Sequence, residues 1–293
     1  MALQFNRREV LTAMLCAPIA GLGAVEDPFH LPDVNVPGFP IFKDRTGRTP
    51  VYPGLVPGEA TDIWLLWGQS LAAFHEITAY SPANPLKLHN IDPYSGGMLL
   101  YEAPGLGCTH VAINGAAGEN WSRRFGDKRI AAGKGARQIF LPIAVAGSNI
   151  AQWATGGIHN ERIKVACARL ASLGLLSHLT GILSHIGEAD NSLGTSQSVF
   201  AAAMADAHQT FRNEGATAPI LDALSTTQND GSTSAAVRAA VLSLVGSNNV
   251  FAGPDNDSLS GPTNRDASGS HLTATGSNNN ATLWGSSCNS AGV

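Results

Sequence analysis

The chain has 293 residues, 44% of them hydrophobic and 14% charged, which is enough apolar material for a sizeable core and too much for a disordered polymer. Lys and Arg number 18 against 22 Asp and Glu, a formal net charge of -4 with no long basic run, so the electrostatic footprint of a nucleic-acid binder is excluded. Thirty-two glycines with only 6% aromatics suit an α/β domain with many turns and close helix–strand contacts, and exclude a coiled coil or collagen.

At the start of the chain, Arg7-Arg8 precede an apolar run from Leu11 to Ala24. Paired arginines ahead of such a run read as a twin-arginine export signal over residues 1–24, and a run of about 14 residues is too short to cross a bilayer as a helix. Export to the periplasm or the medium is therefore expected, with no integral membrane segment in the mature chain. Leu15, where a small residue would be needed before Cys16, argues against lipidation. Cleavage would remove two arginines and one glutamate, leaving a net charge of -5. It would also leave Cys108, Cys167 and Cys288, an odd set that matches no zinc spacing and allows at most one disulfide. No dinucleotide fingerprint is present either, so neither a metal nor another cofactor is expected.

Residues 25–59 are rich in Pro and Gly and read as an extended lead-in to a domain spanning 60–293. In chain order, apolar runs at Asp62–Trp67, Gln138–Ala146, Thr180–Ile186 and Ala218–Ala223 read as buried strands, three of them ending at Gly68, Gly147 and Gly187. Between and after them, Asn160–Leu173, Ser196–Arg212 and Ser234–Val245 carry apolar residues at helical spacing. Strands alternating with helices predict a parallel sheet covered on both faces, with functional residues on the loops after the strands' carboxyl ends.

Those loops hold the chemistry. Ser70 follows the first strand, where its hydroxyl could act as a nucleophile beside backbone amides if a helix begins at Leu71, or could merely cap that helix. His271 lies on a polar loop with Asp266 upstream, an arrangement suited to a base held in one tautomer and equally to a surface histidine. Asn149 could donate to an oxyanion or form a turn. Glu188 and Asp190 could be the acid and base of a glycosidase, though loop-stabilising acceptors suit them better. Trp121 and Trp153 could stack on sugars or belong to the core.

Gly68-Gln69-Ser70, Gly147-Ser148 with Trp153, Gly187-Glu188-Ala189-Asp190 and the terminal Asp/His loop resemble, in this order, the SGNH hydrolases of the sialate O-acetylesterase and acetylxylan esterase type. The similarity runs from about Asp62 to Trp284. It implies a three-layer α/β/α flavodoxin-like fold and a serine esterase that removes O-acetyl groups from carbohydrates through an acyl-enzyme. In that reading Ser70 is the nucleophile, His271 the base and Asp266 its orienting acid. The amides of Ser70 and Gly118 form the oxyanion hole, with Asn149 assisting, and Gln69, Trp153 and Glu188 contact an acetylated saccharide or another small ester. Two positions depart from the pattern. Ile186 stands where the family has Gln, and Ser268 stands three residues before His271, where the family has Asp. Asp257 is the alternative acid. The competing readings are a weak or inactive carbohydrate-binding protein on the esterase fold, and an α/β-hydrolase whose nucleophile elbow Gly68-Gln69-Ser70-Leu71-Ala72 almost matches.

Overall fold

The computed structural model describes residues 44–76, 78–108 and 118–293. The export signal expected at 1–24 and the first part of the lead-in, 25–43, lie outside them.

The apolar run at Asp62–Trp67 becomes the central strand β1 (Thr61–Gly68), buried along nearly its whole length. Alternate side chains divide it between two cores. Ile63, Leu65 and Trp67 join one hydrophobic cluster, while Trp64 and Leu66 join the other. Such two-sided burial is why the sequence reads as a continuous apolar run and not as an alternating one. The remaining strands are β2 (Leu88–Ile91), β3 (Met98–Leu100), β4 (Arg137–Pro142), β5 (Gly181–His185), β6 (Ile220–Leu224) and β7 (Val250–Asp255). They form one sheet in the order β3-β2-β4-β1-β5-β6-β7, parallel except for β3, which runs antiparallel to β2. Outside β3, residues 49–51 pair with it through Val51 N to Met98 O (2.9 Å) and Leu100 N to Thr49 O (2.9 Å).

Taken in chain order, β1, β4, β5, β6 and β7 lie second-first-third-fourth-fifth, the flavodoxin-like order. In such sheets the ligand crevice opens where the winding reverses, at the carboxyl ends of the first and third of these strands. Here those are the ends of β1 and β5.

Helices cover both faces. One carries α2 (Asn160–Ser172), α4 (Gln197–Asn213) and α5 (Ala235–Leu244), which bury Ile163, Leu170, Phe200, Phe211 and Val241 in the first cluster. The other carries α1 (Ser122–Ala131) and α7 (Ala274–Ser290), whose Phe125, Ala281, Trp284 and Cys288 pack with Trp64 and Phe140. Short helices α3 (Glu188–Leu193) and α6 (Gly261–Asn264) sit in the loops.

The four expected strands and three expected helices are present within a few residues of their expected ends. The expected strand 138–146 stops at Pro142, although Ile143 N and Val145 N still donate to Leu66 O (2.8 Å) and Gly68 O (2.9 Å). Strands β2, β3 and β7 and helices α1 and α7 were not expected. In α1 the inward residues include Arg123, Arg124 and Arg129, paired with Glu119, Glu76 and Asp62, so no apolar stripe announces it. Cys108, Cys167 and Cys288 are all buried free thiols, so the disulfide allowed by their number does not form among them.

Candidate functional site

The site begins where β1 stops. Gly68 has φ 112°, and a Cβ there would lie 2.1 Å from the His185 carbonyl oxygen, so only glycine lets the ends of β1 and β5 meet. Gln69 N then donates to His185 O (2.7 Å), and the buried Gln69 side chain accepts from Gly187 N (3.4 Å) and Ala189 N (3.2 Å). The Gln69 Oε1 atom is thus spent on tying the two crevice loops together. Ser70 is half-buried in a turn in which Ala73 N donates to both Gln69 O and Ser70 O (3.1 Å each). The turn does not continue into a helix at Leu71, so Ser70 is not a helix cap. Trp121 Nε1 donates to Leu71 O (2.9 Å) and Asn120 Nδ2 to Ala72 O (3.0 Å), clamping the turn from a second loop.

That second loop pairs with the first like a minimal sheet: Glu76 N to Glu119 O (2.9 Å) and Glu119 N to Glu76 O (3.0 Å). Each carboxylate meets an arginine of α1, Arg123 with Glu119 at 2.6 Å and Arg124 with Glu76 at 2.7 Å. Burial nevertheless dominates. It pushes the Glu119 carboxyl up to about 7 against the pull of Arg123, and it raises Glu76 against Ser277 and Arg124. Gly118, buried with φ 55°, leads directly into this pairing.

His271 comes from the far end of the chain on a tight hairpin. Arg265 and Leu272 form a bridge, Asp266 N donates to His271 O (2.9 Å), and Gly269 turns the tip at φ 76°, where a Cβ would lie 2.3 Å from Asn229 O. Buried Arg265 staples the hairpin down, its Nε donating to Leu259 O (2.7 Å), Nη1 to Ser270 O (2.5 Å) and Nη2 to Asn256 O (2.7 Å). The His271 ring stacks on His75, centroids 4.6 Å apart and planes 27° from parallel. Burial lowers the His271 imidazole below the usual histidine range, with Asp266 opposing and Arg265 adding to the shift. The Asp266 carboxylate does not reach the imidazole. It accepts from Ser268 N (2.9 Å) and Ser268 Oγ (2.5 Å), and Ser268 Oγ lies 3.5 Å from His271 Nδ1.

The structure thus brings Ser70 and His271 together: both line one pocket with Leu71, His75, Glu119 and Trp121. Asn149, Trp153, Glu188, Asp190 and Asp257, also expected there, are engaged elsewhere. Asn149 is a capping residue, its Oδ1 accepting from Gln152 N (3.3 Å) while Gln152 Oε1 accepts from Asn149 N (3.0 Å). Trp153 is fully buried edge-on against Trp67 and donates to Ser148 Oγ (2.9 Å), which leaves no ring face for a sugar. Trp121 does line the pocket, but it is buried and its ring stacks on Trp284, with centroids 5.1 Å apart. Glu188 is buried, accepts from Ser225 Oγ (2.8 Å), and is pushed up to about 7 by burial. Asp190 accepts from Ile150 N (2.9 Å) and Thr195 Oγ1 (3.1 Å), so the Glu188/Asp190 pair props loops and faces no glycosidic bond. Asp257 binds the amides and hydroxyls of Thr226 and Thr227 and pairs with Arg238 (2.8 Å).

His75, Glu76, Glu119, Asn120 and Arg265 escaped the sequence reading. Glu119 could have been suspected from its place four residues before Arg123, but nothing local marks Glu76, 48 residues from its partner Arg124, or His75 as a partner of His271. Among the described residues there is no group of three or more His, Cys, Asp or Glu placed to hold a metal ion, and no helix is long and apolar enough to cross a membrane.

The chain matches no protein-family model and no curated protein. Solved structures do match. A protein from Arabidopsis thaliana is 17% identical, covers 80% of this chain and 98% of its own, and superposes with a TM-score of 0.56. A protein described as a GDSL-like lipase from Parabacteroides merdae is 12% identical, covers 79% of this chain and 97% of its own, with a TM-score of 0.52. The chain has the SGNH-hydrolase fold. Within the SGNH fold as this chain builds it, the Ser70/His271 pocket lies at the carboxyl end of β1, beside the β1/β5 reversal of the sheet.

Proposed function

We propose that the chain is a serine esterase that removes O-acetyl groups from carbohydrates through an acyl-enzyme. The observation that carries the reading is the shared pocket of Ser70 and His271, residues from the two ends of the described chain. The lipase-like neighbour of the same fold supports ester hydrolysis. The carbohydrate substrate and the acetyl group rest on the resemblance of the sequence motifs.

In this reading Ser70 Oγ attacks the acetyl carbonyl carbon while His271 Nε2 takes the hydroxyl proton. The carbonyl oxygen becomes an oxyanion held by the Ser70 and Gly118 amides, the donors that the resemblance assigns. Collapse breaks the bond to the sugar oxygen, which leaves with the proton from His271. Water, deprotonated by the same imidazole, then attacks the acyl-enzyme and releases acetate and free Ser70. His271 must be neutral to begin, and its lowered proton affinity keeps it so below the usual histidine range. Ile186, where the resemblance calls for Gln, is fully buried in the core, so the backbone amides carry the oxyanion without that side chain. Residues 1–24 would direct export, placing the enzyme where acetylated polysaccharides are met.

Ser70→Ala tests the assignment. Acetate release from acetylated xylan and p-nitrophenyl acetate is expected to fall by at least ~10³-fold with the fold intact by circular dichroism. Turnover equal to the parent's would discard Ser70 as nucleophile. An intact parent that binds saccharide without releasing acetate would point to a binding protein.

A further inference from the structure

Among the described residues, no carboxylate touches the imidazole that the proposed function uses as a base. Its Nδ1 faces the Ser268 hydroxyl at 3.5 Å, and that hydroxyl lies 2.5 Å from Asp266 Oδ1. The direction of these bonds follows from what each group can do. An ionised carboxylate only accepts, so the one hydroxyl proton of Ser268 goes to Asp266. The Ser268 oxygen is then left with its two lone pairs, which the amides of Ser270 and His271, both at 3.3 Å, share with the imidazole. With its proton committed to Asp266, Ser268 can meet the ring only as an acceptor, which favours the tautomer protonated on Nδ1 with the lone pair on Nε2. A general base facing Ser70 needs that tautomer.

We propose that Ser268 is a positioning residue that connects Asp266 to His271, its hydroxyl accepting from the imidazole while donating to the carboxylate. The chain of groups is serine, histidine, serine, aspartate. The hairpin holds it in register through the Arg265–Leu272 bridge and the Asp266 N to His271 O bond, while the stack on His75 fixes the plane of the ring. A hydroxyl relays the polarisation of the carboxylate without bringing a full charge to the ring. This inference rests on His271 being the base, but the arrangement it describes can be read without turnover.

The experiment is a double-mutant cycle on Ser268→Ala and Asp266→Asn, with the His271 ring nitrogens followed by ¹⁵N NMR and assigned by His271→Gln. Ser268→Ala is expected to move a measurable share of His271 to the Nε2–H tautomer and to lower kcat roughly 10-fold at little change in KM. Asp266→Asn should have a smaller effect in the same direction, and no further effect once Ser268 is Ala, because the carboxylate acts through the hydroxyl. Ser268→Asp is expected to put a carboxylate directly on Nδ1, raising the imidazole titration midpoint by about 1 pH unit or more and carrying the acid limb of kcat/KM with it. Additive effects of the two deletions, or a His271 tautomer unmoved by Ser268→Ala, would overturn the proposal. A fixed Nδ1–H tautomer in a protein that releases no acetate would instead sink the esterase reading and leave this one standing.

Discussion

Glu188 offers the sharpest quantitative test of the fold around the site. It is a fully enclosed carboxyl at the start of α3: one oxygen accepts from Ser225 Oγ (2.8 Å) and the other has no hydrogen-bond partner among the described residues. Burial is the largest cause of its shift and carries it from the ordinary 4.5 to about 7, with Ser225 and Arg265 opposing. In the unfolded chain the group ionises near 4.5. Between pH 4.5 and 7 the native state therefore holds a proton that the unfolded state has released, and this residue makes stability fall as pH rises through that window. A difference of about 2.5 units at 1.36 kcal/mol each is about 3 kcal/mol. Glu188→Gln keeps an acceptor for Ser225 and cannot ionise. Urea unfolding of parent and variant at pH 4 and pH 8 should then show the variant gaining about 3 kcal/mol on the parent across the interval, on top of any constant offset. An offset that does not change with pH would mean that the Glu188 carboxyl is solvated in the native state and that the packing at the β5–α3 junction is looser than described.

Two further substitutions probe the scaffold. Arg265→Met removes the donors to Leu259 O, Ser270 O and Asn256 O, of which Asn256 O keeps its bond from Leu259 N, so a loss of about 3 kcal/mol is expected in urea unfolding, with hydrogen exchange accelerated over residues 256–271 and acetate release abolished; a loss under about 1 kcal/mol would show the hairpin to be held by other contacts. Gly68→Ala places a methyl 2.1 Å from the His185 carbonyl at φ 112°, so it should cost at least about 2 kcal/mol and spread the ends of β1 and β5; an unchanged urea midpoint with unchanged activity would contradict the close approach of those strands.

How far the sequence could be read follows from what each segment buries. The β1 run was legible because a parallel strand covered on both faces leaves no polar side, and the glycines ending three of the runs marked where loops begin. Ser70 and His271 were legible because loops after such strands converge at one edge of the sheet. Helix α1 was not, since its inner face is made of arginines whose partners, Glu76 and Asp62, lie far away in the chain. Helix α7 hides Ala281, Trp284 and Cys288 among asparagines and serines. Trp121 and Trp153 look the same in sequence as exposed aromatic platforms, because only the finished packing decides whether a ring face meets another ring or water. The link between Asp266 and His271 was visible as proximity, but the hydroxyl between them depends on the path of the hairpin.

The two borders of the sheet share a property. On one side the outermost extended segment, 49–51, contains Pro50; on the other, β7 contains Pro254. Neither proline has an N–H to offer an incoming chain. Among the described residues, each flank therefore carries a position that cannot donate to an incoming strand, which weakens edge-to-edge addition, the route by which exposed strands recruit copies of themselves into aggregates.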